Sequence, residues 1–196
     1  PASIFMGDTG SMFLGFVLPF LLSLVLLCVP RSGWGTSPSI AVHVRPSHGV
    51  GSWWQPCGRD APTDVSCSEI NTSSLFRTGF TVYLIVERTD PGLSGASFGI
   101  AYDPYFQTGL GLYSNSGCFY GDVSATFTDG PFGQWPAPWS GIRLTWPSCQ
   151  QDVADGHEEE GMRTIIGALE AYAYGADIFY ITPHPQDGRV SITDCE

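Results

Sequence analysis

The chain has no lysine: its eight basic residues are all arginines, set against nineteen Asp and Glu, for a formal net charge of −11. The absence excludes Schiff-base chemistry and the lysine of a phosphate-binding P-loop. Eight scattered arginines supply no basic footprint to neutralise a nucleic-acid backbone, so nucleic acid is excluded as a partner. None of the six cysteines forms a C-x-x-C pair, which removes zinc-ribbon and thioredoxin-type readings. Internal repeats and heptads are absent as well. His43, His48, His157 and His184 are scattered, and Glu87, Glu170 and Asp122 define no carboxylate separation. The residues therefore yield no catalytic set, and a secreted hydrolase ranks behind every binding or structural reading.

What is present begins with an uncharged apolar run, Met12 to Val29. It is long enough to span a bilayer, so a cleaved signal and a membrane anchor compete. Gly15, Pro19 and Ser23 dilute it, and Gly33-Trp34-Gly35 follows with small residues at a cleavage spacing, which favours a signal peptide over residues 1–35. Against this, Asp8 precedes the run while the nearest arginine, Arg31, follows it. Membrane contact is expected only through this segment if it stays uncleaved. Attachment of lipid at Cys28 fits worst, because Leu26 and Leu27 precede it where small residues are needed.

Residues 36–196 then read as a single domain, exported to the cell surface or beyond. Cysteines in an exported chain usually pair. The expected bonds are Cys118–Cys149, bracketing a Trp/Pro-rich loop, and Cys57–Cys67 as a local clip. Cys195 is left single, or takes the place of Cys57 or Cys67 as a partner. A sequon, Asn71-Thr72-Ser73, matters only in a eukaryotic secretory route.

Short β-branched and aromatic runs bounded by turn residues recur along this domain. Strands are expected at Ile40–Val44, Phe80–Val86, Ala96–Tyr102, Val123–Phe127, Ile142–Trp146 (ending before Pro147), Asp177–Thr182 and Arg189–Thr193. Met162–Tyr174 contains helix formers, yet Leu169, Ala171 and Ala173 fit a period of two, and a strand is preferred. A polar stretch, 47–78, forms a long loop carrying the clip cysteines. About eight strands without βαβ alternation predict an all-β fold, an antiparallel β-sandwich of Ig-like or cohesin-like type.

Ser97-Phe98-Gly99-Ile100-Ala101-Tyr102-Asp103-Pro104, following a Val/Ile-rich strand, resembles a run in cohesin-type β-sandwiches, where a strand ends in a Tyr-Asp-Pro turn. The layout is also similar to that of uncharacterised exported bacterial proteins with this sandwich. The resemblance implies a fold and an extracellular or cell-surface setting, and no catalytic residue.

Two constellations are candidates for binding. Asp152, Asp155 and Glu158, within an acidic stretch that also holds His157, Glu159 and Glu160, are the oxygen donors a Ca²⁺ ion would take, though their spacing is not that of an EF-hand. No other cofactor is expected. Trp53, Trp54, Trp135 and Trp139 lie in loops, where exposed rings stack on sugars or anchor proteins and where buried ones would cap the open ends of the sandwich. The function expected is a structural or protein-binding module, with a carbohydrate-binding module as the alternative and a protein or polysaccharide as partner.

Overall fold

The computed structural model describes residues 2–3, 38–46, 69–74, 78–87, 92–104, 109–112, 118–119, 122–123, 136–151 and 163–195. Twelve strands lie among them. In chain order they are β1 (Ala2–Ser3), β2 (Ser39–Pro46), β3 (Ser73–Ser74), β4 (Gly79–Glu87), β5 (Leu93–Ala101), β6 (Leu110–Leu112), β7 (Cys118–Phe119), β8 (Asp122–Val123), β9 (Gly141–Gln150), β10 (Arg163–Ala173), β11 (Tyr180–Thr182) and β12 (Ser191–Asp194). No helix among the described residues is long and apolar enough to cross a membrane. The apolar run 12–29 and the Trp53, Trp54 and Trp135 positions lie outside the described residues, as do Cys57, Cys67, Asp152, Asp155 and Glu158.

The strands build two antiparallel sheets packed together, a sandwich-like all-β fold. One sheet runs β2-β4-β10, with β6 and β7 both pairing the far edge of β10. The other is centred on β5, which pairs β9 on one side and both β11 and β12 on the other, with β8 beyond β9. A separate two-residue ladder joins β1 to β3.

Alternation sets the core. Ile40, Val42 and Val44 of β2 and Phe80, Val82, Leu84 and Val86 of β4 face Phe98 and Ile100 of β5 and Ile142 and Leu144 of β9 in one buried cluster. On β4 the intervening Thr81, Tyr83, Ile85 and Glu87 are buried too. Ala41, Tyr83, Ile85 and Ala168 form a second cluster, joined by the partly buried Ile70 and Ile165. This sheet is thus covered on both faces, which is why β4 reads as a continuous apolar run with little alternation.

The same double burial explains the ambiguity of Met162–Tyr174. It is a strand, β10, and its central place between β4 and β6/β7 overrides the helix propensity of its Ala, Leu and Glu. A β-bulge between Ile165 and Gly167 breaks the period of two.

Two expectations are corrected, one at Pro147 and one at Cys149. The strand expected to end before Pro147 runs on to Gln150, but its ladder jumps from Thr145, opposite Gly95, to Gln150, opposite Leu93. Pro147 sits in the unpaired bulge this leaves, since it has no N–H to give. Of the strand expected at Val123–Phe127, Val123 is paired in β8, and the rest lies outside the described residues. The expected bond Cys118–Cys149 does not form, and Cys195 is neither single nor joined to the clip: Cys149 is bonded to Cys195.

Register explains this partner. Leu93 opens β5 and pairs Gln150 on one side and Asp194 on the other, which brings the ends of β9 and β12 to the same point. Gly92 lies beneath the bond: a Cβ there would collide with Cys149 Sγ, and Cys195 N–H donates to Gly92 O at 3.0 Å. The bridge spans 46 residues of chain. Its removal in Cys195→Ser is expected to cost about 4 kcal/mol in the chain-entropy model. Gly92→Ala should reproduce part of that loss with both cysteines in place. Urea unfolding under oxidising and reducing conditions checks both, since reduction should lower the wild-type protein by more than it lowers Cys195→Ser.

The outer face of the β2-β4-β10 sheet buries His43, which is 4% exposed. Asn71 N–H donates to its Nδ1 at 3.1 Å, and Arg45 Nε lies 3.2 Å from its Nε2. Burial, and then the Arg45 charge, pull its pKa down to about 4 against the opposing pull of Glu69. The unfolded chain therefore binds this proton first. Stability from His43 is complete above pH 6.5 and declines as the pH falls from there towards 4, by about 3 kcal/mol for a shift of this size. His43→Gln should flatten that part of the profile, as measured by urea midpoints from pH 7 to pH 4 relative to the wild type.

Candidate functional site

The described functional candidates collect around β5, along its length and at the turn that caps its end. Phe98 and Ile100 point into the core, so Ser97, Gly99 and Ala101 line the other face. Three levels follow from the register: Ser97 lies between Ser191 and Arg143, Gly99 between Thr182 and Gly141, and Ala101 beside Tyr180.

The segment Pro136–Ser140 caps the last level. Ser140 N–H donates to Ala137 O at 3.1 Å, closing a turn with Pro138 and Trp139 at its centre. Trp139 has φ 66°. Proline followed by a residue of positive φ is the type II pattern, whose third position is ordinarily glycine. The same residue opens a bulge. Trp139 N–H donates to Ile100 O at 2.7 Å while Ile100 N–H donates to Ser140 O at 3.2 Å, so two residues oppose one. The left-handed position of such a bulge is again a glycine site.

A bulky L-residue there costs roughly 1–2 kcal/mol. Burial does not offset it, because Trp139 is 70% exposed. Tyr180, 42% exposed, is the other large hydrophobic side chain exposed among the described residues, and it stands across β5 from the turn.

The turn is held from below. Tyr102 Oη donates to Pro136 O at 2.6 Å in a buried contact, and burial pushes its phenol well above the ordinary range. Its ring stacks on Phe179 with centroids 6.3 Å apart. The next residue, Asp103, donates its N–H to Asp177 Oδ2 at 2.8 Å. The Tyr-Asp segment thus ties β5 to the turn through its phenol and to the start of the β11 segment through its backbone.

Along the same face a second cluster converges on Asp187. Arg143 donates twice, Nη2 to Oδ1 at 2.6 Å and Nε to Oδ2 at 3.3 Å. Ser97 Oγ donates to Oδ2 at 2.9 Å, and His184 Nδ1 lies 3.3 Å from the same oxygen. These bonds, from Arg143 first and Ser97 second, lower the Asp187 pKa. His184 is buried with its imidazole against Gly141, where a Cβ would collide with Nε2. Burial, then the Arg143 charge, depress its pKa despite Asp187.

Ser97 lies in Gly95-Ala96-Ser97-Phe98-Gly99, which has the G-x-S-x-G spacing of a nucleophile elbow. An elbow needs a strand-to-helix turn, and this pentapeptide is extended in the middle of β5. The hydroxyl, moreover, is bonded to the carboxylate and not to the imidazole. A triad requires the reverse, with the base taking the serine proton. The cluster is therefore a carboxylate held by an arginine and a serine beside a buried histidine whose Nδ1 accepts the Gln186 N–H at 3.3 Å, and it fixes the 183–189 loop onto the sheet.

Of the expected site residues, Trp139 is described and exposed. Trp53, Trp54 and Trp135, and the acidic set Asp152, Asp155 and Glu158, lie outside the described residues. Among the described residues no group of His, Cys, Asp and Glu is arranged to hold a metal ion. Tyr180, Arg143, His184 and Asp187 were not singled out as a group, because only the register brings them to one face. Comparison with protein-family models, with curated proteins and with solved structures returns no match.

Tyr102→Phe removes the hydroxyl beneath the turn and leaves Pro136 O without its buried donor. It should lower stability by about 1–2 kcal/mol. Faster hydrogen exchange at the Trp139 and Ser140 amides, in excess of the global change, is the accompanying result that separates release of the turn from simple loss of core packing.

Proposed function

We propose that this chain is a secreted or cell-surface β-sandwich module, of Ig-like or cohesin-like type, whose role is to bind a partner through the Trp139 turn. One observation carries the reading: a tryptophan occupies a glycine position twice over, as the third residue of a proline-led turn and as the first of a bulge, with its ring 70% in solvent. Fold stability would favour glycine at this position. A large ring kept there is accounted for by what it touches outside the chain. The turn is stiffened by Pro136 and Pro138 and anchored to β5, so little ordering entropy is lost when a partner docks. The Cys149–Cys195 bond suits an oxidising compartment, in line with export.

The test is retention of the oxidised, fluorescently labelled chain on the washed surface and extracellular matrix of the cells that make it. Saturable binding by the wild type that falls at least tenfold in Trp139→Gly is the expected result. Equal retention of the two proteins, or none of either, would contradict the proposal.

A further inference from the structure

We infer that Asn71 is a site of N-linked glycosylation, with a lipid-linked oligosaccharide as the glycosyl donor. Asn71-Thr72-Ser73 has the required hydroxyl two residues after the asparagine and no proline between them. The other asparagine of the chain, Asn115, is followed by Ser116-Gly117 and is no acceptor. Glu69 stands two residues before Asn71. The tripeptide alone serves a eukaryotic secretory route, whereas bacterial oligosaccharyltransferases that act on exported chains also need an acidic side chain at that place. Glu69-Ile70-Asn71-Thr72-Ser73 meets both requirements.

The fold presents this pentapeptide at the surface. Glu69, Asn71 and Ser73 are exposed, and Ile70 and Thr72 between them are half-buried. Ile70 packs against the cluster of Ala41, Tyr83, Ile85 and Ala168, and Asn71 O accepts the Val44 N–H at 2.7 Å. The segment is thus held beside β2 with its acceptor side chain in solvent, where a bulky glycan is accommodated.

Locally the sequon closes on itself. Ser73 N–H donates to Asn71 Oδ1 at 3.1 Å, and Ser73 Oγ donates to the same oxygen at 3.3 Å, an Asx turn. The hydroxyl on which the transferase depends therefore lies beside the amide that it modifies. Asn71 Nδ2 gives one hydrogen to Val44 O at 3.2 Å. An amide nitrogen carries two, so replacing the other leaves that bond in place. In the transfer the bond from Nδ2 to C1 of the first sugar forms and the bond from C1 to the lipid diphosphate breaks. Nδ2 gives up one proton to a base of the transferase, and the lipid diphosphate leaves.

The inference rests on the export proposed above and not on the Trp139 turn, which is bonded to β5 of the other sheet. Mass spectrometry of the chain collected from outside the cells that make it is the test. After reduction and alkylation, trypsin cuts behind Arg59 and Arg77 and releases Asn71 within residues 60–77. The wild-type peptide is expected to carry the mass of an oligosaccharide, with fragment ions placing it on Asn71. Ser73→Thr should keep that mass and Ser73→Ala should abolish it. Serine is the position to change, because the Asn71 side chain also bonds Val44. An unmodified wild-type peptide overturns the inference and leaves the binding role of Trp139 standing. Sugar that persists on the peptide in Ser73→Ala overturns it too, since attachment then does not depend on the sequon. A chain found only inside the cells defeats the export and this inference together.

Discussion

Central strand β5 holds the sheet together through its register. Both of its edges are occupied, by β9 on one side and by β11 and β12 on the other, so a slip of one residue would turn Phe98 and Ile100 out of the core and Ser97 and Gly99 into it. The disulfide locks one end of that register by joining the neighbours of Leu93 above Gly92. Anchoring of the Trp139 turn fixes the other end, where Ile100 takes and gives the bulge hydrogen bonds. The exposed ring, the Asp187 cluster and the bridge are thus three consequences of how one strand is paired.

The two sheets handle polarity differently. The β2-β4-β10 sheet buries ionisable groups on its outer side, including Glu87 and Arg163 with Nε and Oε1 3.4 Å apart, and neutral His43. On the β5 sheet the outer side keeps its ion pair partly in solvent, at Arg143 and Asp187. Buried charges contribute mainly through the cost of breaking them, whereas an exposed pair contributes little to stability and remains able to meet a ligand.

Most of the fold was legible in the sequence. Alternation and turn residues marked the long strands, and Tyr102-Asp103 did more than end one of them, since its phenol anchors the Trp139 turn. Pairing was not legible. Which cysteine Cys149 meets depends on three strands converging at Leu93, and no spacing along the chain encodes that convergence. The two-residue strands β1, β3, β7 and β8 are too short for any periodicity. At the site, Pro138-Trp139 carried a readable signal, a proline-led turn without its glycine, but the strain shows only with φ 66° and the bulge hydrogen bonds in view. Tyr180 and Asp187 become neighbours of the turn and of Ser97 only through register, and sequence reasoning had no means to group them.

The account depends on Trp139 being held where its own fold would prefer glycine. Comparing the urea unfolding of the wild type with Trp139→Gly and Trp139→Ala tests this directly, because alanine keeps the left-handed penalty while losing the ring and glycine loses both. The account predicts that the glycine variant is more stable than the alanine variant and the wild type, by about 1 kcal/mol, with those two close together. If both variants are instead less stable than the wild type, the ring is part of the packing of the fold, and the case for a residue kept for binding fails.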